Sequence, residues 1–188
     1  MNWGYVLSNA GTRDAAETTE PAMDAEAFQG FYERSARPLW AYLARASGDA
    51  TLAEDLMQES YVRFLCASFA GDGEIAARRY LFRIASNLLR DHWRRRGALP
   101  LEDVPERFLM RPDGLAEMEA RSMLEPALAQ MRPRDRQLLW LAHAESYSHK
   151  EIAEITGLGV TSIRILLFRA RRQMATLLKK EARVGRMA

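Results

Sequence analysis

Apolar residues begin to recur at steps of three and four after Asp24. Phe28, Phe31, Tyr32, Leu39, Trp40 and Leu43 mark one stripe, and Asp24 is placed to cap the helix that carries it. Pro38 falls inside that stripe and is expected to bend or divide the helix. After a break at Ser47 to Asp49, Leu52, Leu56, Phe64 and Leu65 predict a second helix that ends near Ala67. Gly71 and Gly73 then interrupt the pattern, so residues 68–74 read as a loop. A third helix carries Leu81, Ile84, Ala85, Leu88 and His92 on one face. From Gly97 to Gly114 three prolines and alternating charges leave no apolar stripe, the pattern of a flexible linker. Helical spacing returns with Leu115, Met118, Leu124, Leu128 and Met131, where Pro126 predicts a kink and Pro133 an end. Three more helices follow, at Asp135 to Ala144, His149 to Thr156 and Thr161 to Lys179. No stretch alternates like a strand. The expected fold is all-α: two small helical domains at 24–96 and 115–180, joined by a linker at 97–114, with tails at 1–23 and 181–188.

The last two helices have a sharper geometry than the rest. Ile152, Ala153, Gly157, Leu158, Ile163 and Leu166 fall at the offsets of a helix-turn-helix, which needs a small residue where the helices cross and a glycine where the turn enters positive φ. Ser148 or His149 is placed to start the first helix, and Thr161 or Ser162 to cap the second. A helical hairpin in a plain bundle shares this spacing, so the pattern alone leaves two readings open.

Charge decides between them. The chain of 188 residues has a net charge of only +2, but its cations are gathered. Seven arginines lie between Arg78 and Arg96 against the single acid Asp91, and eight basic residues follow from Arg164 onward against Glu181 alone. Two such segments on predicted helices point to a polyanion touched at two places. Arg164, Phe168, Arg169, Arg171 and Arg172 would face a major groove, with Thr161 and Ser162 offering hydroxyls and amides to phosphate.

The remaining composition narrows the classes. Cys66 is the single cysteine, so an intrachain disulfide and a Cys-rich metal site are excluded and a reducing compartment is expected. The three histidines form no close ligand cluster, and no P-loop, dinucleotide turn or nucleophile elbow occurs. No metal, cofactor or enzymatic activity is expected. No apolar run is long enough to insert in a membrane and no signal-peptide pattern opens the chain, so a cytoplasmic protein is expected.

Two stretches in the first domain, AEDLMQESYVRF at Ala53 to Phe64 and RYLFRIASNLLRDHWRRR at Arg79 to Arg96, resemble region 2 of the sigma-70 family. MRPRDRQLLWL, SHKEIAEITGLGV and TSIRILLFRARRQM, between Met131 and Met174, resemble its region 4. Their order, with a proline-bearing linker between, is similar to the extracytoplasmic-function group of sigma factors. The resemblance implies a promoter-specificity subunit that binds core RNA polymerase and promoter DNA, and commonly an anti-sigma factor. It implies that Asp55, Gln58 and Glu59 meet the polymerase, and their spacing puts all three on one helix face. It implies that Phe69, Arg83, Asn87, Arg90 and Arg94 serve the −10 element. Thr161, Ser162, Arg164, Phe168, Arg169 and Arg171 would serve the −35 element. The family usually has Trp where Tyr80 stands and often Ser-Arg where Ile165 and Leu166 stand, so an unusual −35 preference is expected. Phe82 and Trp93 suit either core packing or base contact. The alternative is a stand-alone helix-turn-helix regulator, which would have no need of Asp55, Gln58 and Glu59 beside Arg83 and Asn87.

Overall fold

The structure, a computed structural model, describes residues 23–67, 69, 71, 73–95 and 124–184. The amino-terminal tail, the linker, most of the following helix and the last four residues, all given expectations above, lie outside them. The described residues form α1 (Ala25–Ser47), α2 (Ala50–Cys66), α3 (Gly73–Arg95), a helical segment at 124–129, α4 (Pro133–His143), α5 (His149–Thr156) and α6 (Val160–Val184), with no strand among them.

Local chemistry sets the ends of these helices. The Asp24 carboxylate accepts the Ala27 amide at 2.8 Å, and Asp49 accepts that of Leu52 at 3.0 Å. Each cap is worth about 1 kcal/mol. Gly48 closes α1 at φ 80°, a left-handed conformation in which a Cβ would be strained, so α2 can start two residues later. Pro38 does not divide α1, which continues through it to Ser47. Gly73 and Glu74, expected in the loop, form the first turn of α3, where Glu74 pairs with Arg34 of α1 at 2.7 Å. At the other end of the chain, α6 runs past Lys179 to Val184.

Packing follows from the stripes. Phe31 stacks on Phe64 at 5.2 Å, and Tyr42 lies against Phe82 at the same centroid distance, all four rings being almost wholly buried. Phe82 is therefore a core residue; burying such a ring contributes roughly 1.5–3 kcal/mol. Trp93 packs partly buried at the edge of the same core. In the C-terminal helices Leu138, Leu141, Ile152, Ile155, Ile163, Leu167 and Ala170 are among the buried apolar side chains.

The two helical sets also pack on each other, a feature that periodicity did not predict. α1 lies against α4 and α3 against α5, so that the apolar interior is continuous. Polar groups cross the same boundary. Gln137 donates to the Tyr42 hydroxyl at 2.7 Å, Arg136 to the carbonyl of Ala46 at 3.3 Å, and Arg45 pairs with Glu125 at 3.2 Å. From α3, Arg78 pairs with Glu145 at 2.5 Å, Arg79 reaches Glu151 at 3.3 Å and Glu154 at 3.8 Å, and Arg90 donates to the carbonyl of Thr156 at 2.8 Å. Burial raises the Glu145 carboxyl above its ordinary range despite Arg78, whereas hydrogen bonds from Ser148, with Arg79 nearby, lower that of Glu151.

The Tyr42–Gln137 bond gives a direct test of this packing. Tyr42→Phe leaves the Gln137 amide buried without its acceptor and should cost about 1–3 kcal/mol in thermal or urea unfolding. Tyr42→Phe with Gln137→Leu removes both partners and should cost clearly less than the sum of the two single changes. Strict additivity would mean that the two groups do not meet in solution.

Candidate nucleic-acid interface

The helix-turn-helix is built from α5, a three-residue turn and α6. Ser148 starts α5 with a capping box: its hydroxyl accepts the Glu151 amide at 3.3 Å while the Glu151 carboxylate accepts the Ser148 amide at 2.9 Å. Gly157 ends the helix at φ 70° and donates to the carbonyl of Ala153 at 2.9 Å. A side chain at Gly157 would be strained by that φ, and its Cβ would stand 3.1 Å from an Arg90 nitrogen. The glycine thus serves the turn and the approach of α3 together.

α6 starts one residue earlier than the sequence suggests, at Val160, with the Ile163 amide bonded to Gly159 at 3.0 Å. Thr161 and Ser162 consequently stand inside the first turn as exposed residues and do not cap it. Ile163, Leu167 and Ala170 form the buried side, and Leu166, assigned above to the helix-turn-helix core, is only half-buried. Arg164, Phe168, Arg169 and Arg172 are exposed. Arg171 is exposed as well but leans toward α4, where its Nε donates to Nε2 of His143 at 3.2 Å.

On α3, Arg83, Asn87, Arg90 and Arg94 follow at steps of four, three and four, and so share one face. Arg83 is exposed and has no ion pair among the described residues. Asn87 accepts a hydrogen bond from one arm of Arg90, whose other arm holds the Thr156 carbonyl. Arg94 pairs with Asp91 at 3.3 Å. Phe69 does not project freely: its ring stacks on Tyr80 at 4.9 Å, is half-buried, and covers Gly71, where a Cβ would stand 2.1 Å from the ring. Tyr80 is thereby held from one side by Phe69 and from another by Phe64 at 6.1 Å. Ile75, one turn before Arg79, is 77% exposed.

On α2, Asp55, Gln58 and Glu59 are all exposed, on the side away from buried Ala53, Leu56, Ser60 and Phe64. Glu59 is held by Arg63 at 2.7 Å. Val62, 56% exposed, continues the same face one turn on. Val62 and Ile75 were not singled out by the sequence, whereas Ile165 was noted only as a departure from the family pattern; all three are exposed. The signal was available in each case, since all three stand out of phase with the buried stripe of their helix.

Among the described residues no group of histidine, cysteine and acids is placed to hold a metal ion, and no helix is long and apolar enough to cross a membrane. What the arrangement offers is surface chemistry: an acid and amide face on α2, an arginine and asparagine face on α3, and a basic helix-turn-helix.

Comparison with known proteins gives these surfaces a common context. Residues 31–98 match Sigma-70 region 2, and residues 121–174 match Sigma-70 region 4. The chain is 28% identical over 166 residues to the ECF RNA polymerase sigma factor SigL of Mycobacterium tuberculosis, covering 85% of this chain and 93% of that protein. It is 31% identical over 146 residues to EcfG of Rhodopseudomonas palustris, covering 74% and 78%. Among solved structures, its fold resembles that of the sigma factor RpoE in complex with the anti-sigma factor NepR from Bartonella quintana, with a TM-score of 0.64 at 22% identity over 82% of this chain and 98% of that one. It also resembles CnrH in complex with the cytosolic domain of CnrY, with a TM-score of 0.60 at 22% identity over 82% and 89%. Both conserved sigma regions are present in order, on an all-helical fold, in a chain that covers most of its curated relatives: the protein belongs to the ECF sigma factors of the sigma-70 family.

Proposed function

We propose that this sigma factor confers promoter specificity on core RNA polymerase through three surfaces, one for each task. Asp55, Gln58 and Glu59 on α2, extended by Val62, meet the polymerase. Arg83, Asn87, Arg90 and Arg94 on α3, with Phe69 before them, serve the −10 element. Thr161, Ser162, Arg164, Phe168, Arg169 and Arg171 on α6 serve the −35 element. The observation that carries this reading is the division of charge: an acidic face and an arginine face on neighbouring helices of one bundle, beside a separate basic helix-turn-helix. A duplex-binding regulator would need only the last of these. The chain then works without catalysis of its own, in the cytoplasm beside the polymerase. An anti-sigma protein is a further partner in this reading, as it is for the RpoE relative.

The packing of α3 on α5 has a consequence for this mechanism. The −10 and −35 elements are about 25 base pairs apart by their positions, roughly 85 Å of duplex at 3.4 Å per step. Helices in mutual contact cannot reach both. The two sets must part for the whole promoter to be read, which releases Arg78, Arg79 and Arg90 from their partners on the C-terminal side. Energies divide the melting step in a similar way. Opening one DNA step costs about 1.4 kcal/mol on average, while stacking one flipped base returns roughly 1–3 kcal/mol. One captured base offsets a step or two, so this chain nucleates the bubble and the polymerase extends it.

Two experiments test the assignment. Asp55→Lys with Glu59→Lys should weaken binding to core polymerase about tenfold or more, as charge reversal at an interface does, and leave duplex binding by the full chain intact; unchanged affinity for core would remove this face from the interface. In holoenzyme, Arg169→Ala should relax the −35 preference by roughly 1–3 kcal/mol, whereas Asn87→Ala should leave that preference alone and impair opening. Footprinting on linear and pre-opened templates separates them, because a bubble should rescue Asn87→Ala and not Arg169→Ala. Equal responses of the two variants would refute the division of labour.

A further inference from the structure

The outward side of α6 is not uniformly polar. Ile165 is 49% exposed and Phe168 65% exposed, and both lie opposite the buried Ile163, Leu167 and Ala170. With Thr161 they fall at steps of four and three, so a methyl, a branched chain and a ring form one ridge along the outward centre of the helix. Arg164 and Arg169 flank the ridge and Arg172 follows it, and none of the three has an ion pair among the described residues. A protein partner seated on this ridge would have to cover three unpaired guanidinium groups as well. A DNA major groove supplies phosphates at its walls and, wherever a thymine lies on its floor, a 5-methyl group between them.

We propose that Ile165 and Phe168 are specificity-determining residues of α6 beside Arg169, and that they read the 5-methyl groups of neighbouring thymines in the upstream promoter element. The inference rests on the reading of α6 as the duplex-reading helix and says which bases it selects. Both residues lie in the N-terminal part of the helix, which in a helix-turn-helix meets the base edges. Three helical residues advance about 4.5 Å, against about 3.4 Å for one base step, so the two side chains face adjacent base pairs. Arginines at such positions would select guanine by paired hydrogen bonds; an isoleucine and a phenylalanine offer none, and thymine differs from the other bases in the groove by an apolar group.

The test uses the full chain with core polymerase on an upstream element selected from a randomised library. Each thymine of that element is replaced in turn by 2′-deoxyuridine, which keeps every hydrogen bond and removes one methyl. Burying one methyl corresponds to about a fourfold change in affinity. Two adjacent positions are expected to lose about fourfold each. Ile165→Ala should abolish the loss at one position and Phe168→Ala at the other, while Arg169→Ala remains sensitive at both. Because both side chains are exposed, the variants should melt with the parent protein, and this is measured alongside. A selected element without thymine, uracil tolerance at every position, or undiminished uracil sensitivity in both variants would overturn the inference while leaving promoter reading by α6 intact. If the two variants fail to assemble with polymerase while melting with the parent protein, the ridge docks protein and the inference fails. Absence of any sequence selection by the holoenzyme would remove the underlying reading along with it.

Discussion

The hydroxyl of Tyr42 is fully buried at the place where three helices meet, and a phenol taken out of water must find partners there. It has two, Ser86 of α3 at 2.6 Å and Gln137 of α4 at 2.7 Å, one from each side of the boundary between the helical sets. Burial pushes its pKa up to about 12, so it stays a neutral donor and acceptor throughout the working range of a protein. Ser86 also donates to the carbonyl of Phe82, which ties the same network to the ring that packs against Tyr42. In the packed form this group is satisfied only from both sides, which holds α1, α3 and α4 in register with one another. The helix-turn-helix is then seated between the two sets, α6 against α4 and α5 against α3.

Around this buried centre the remaining polar contacts are graded by exposure. Glu145 is almost wholly covered, with the Arg78 guanidinium and the Trp140 indole N–H at 3.2 Å as its donors; burial raises its carboxyl above the ordinary range, and these donors act against that shift. Arg79 and its acids Glu151 and Glu154 are far more open to water, where such pairs contribute only about 0–1 kcal/mol and weaken in salt. The boundary is therefore held by shape and a few buried polar atoms, with an outer fringe of ion pairs that a polyanion can displace. Arginines that pair with acids in the packed form are equally able to pair with phosphate, so under the proposed function the charge pattern of α3 would serve both a packed and a parted state.

The legibility of the sequence followed the range of the interactions involved. Asp24, Asp49, Ser148 and Gly157 act on backbone groups within a few residues of themselves, and the helix ends they set were readable from residue type and spacing. The shared face of Asp55, Gln58 and Glu59 was readable for the same reason, since helical geometry alone fixes it. Of the two outcomes expected at Pro38, division of the helix does not occur, because burial of Leu39, Tyr42 and Leu43 beyond it holds α1 together. Thr161 and Ser162 were expected to cap α6, but the backbone of Gly159 begins the helix and leaves their hydroxyls free. The packing of α3 on α5 joins residues more than sixty positions apart in sequence, as Arg78–Glu145 and Arg90–Thr156 do, and no local pattern records such pairs.

Asn87 and Arg90 show why the candidate site is more than a list of basic residues. In the packed form Arg90 bridges Asn87 and the carbonyl at the end of α5, so the asparagine amide that would meet an unpaired base has its oxygen engaged within the protein. Gly157 permits this approach, since a Cβ there would press on the guanidinium. The turn that gives the helix-turn-helix its shape thus also provides the seat for an arginine of the other helical set. Parting the sets leaves Arg90 without its carbonyl and leaves Asn87 beside a cation with an unfilled arm, a pairing suited to an unstacked base next to its own phosphate. Under the proposed division of labour, duplex reading by α6 and strand capture by α3 would be linked through this one contact, which would have to break before both surfaces could meet DNA.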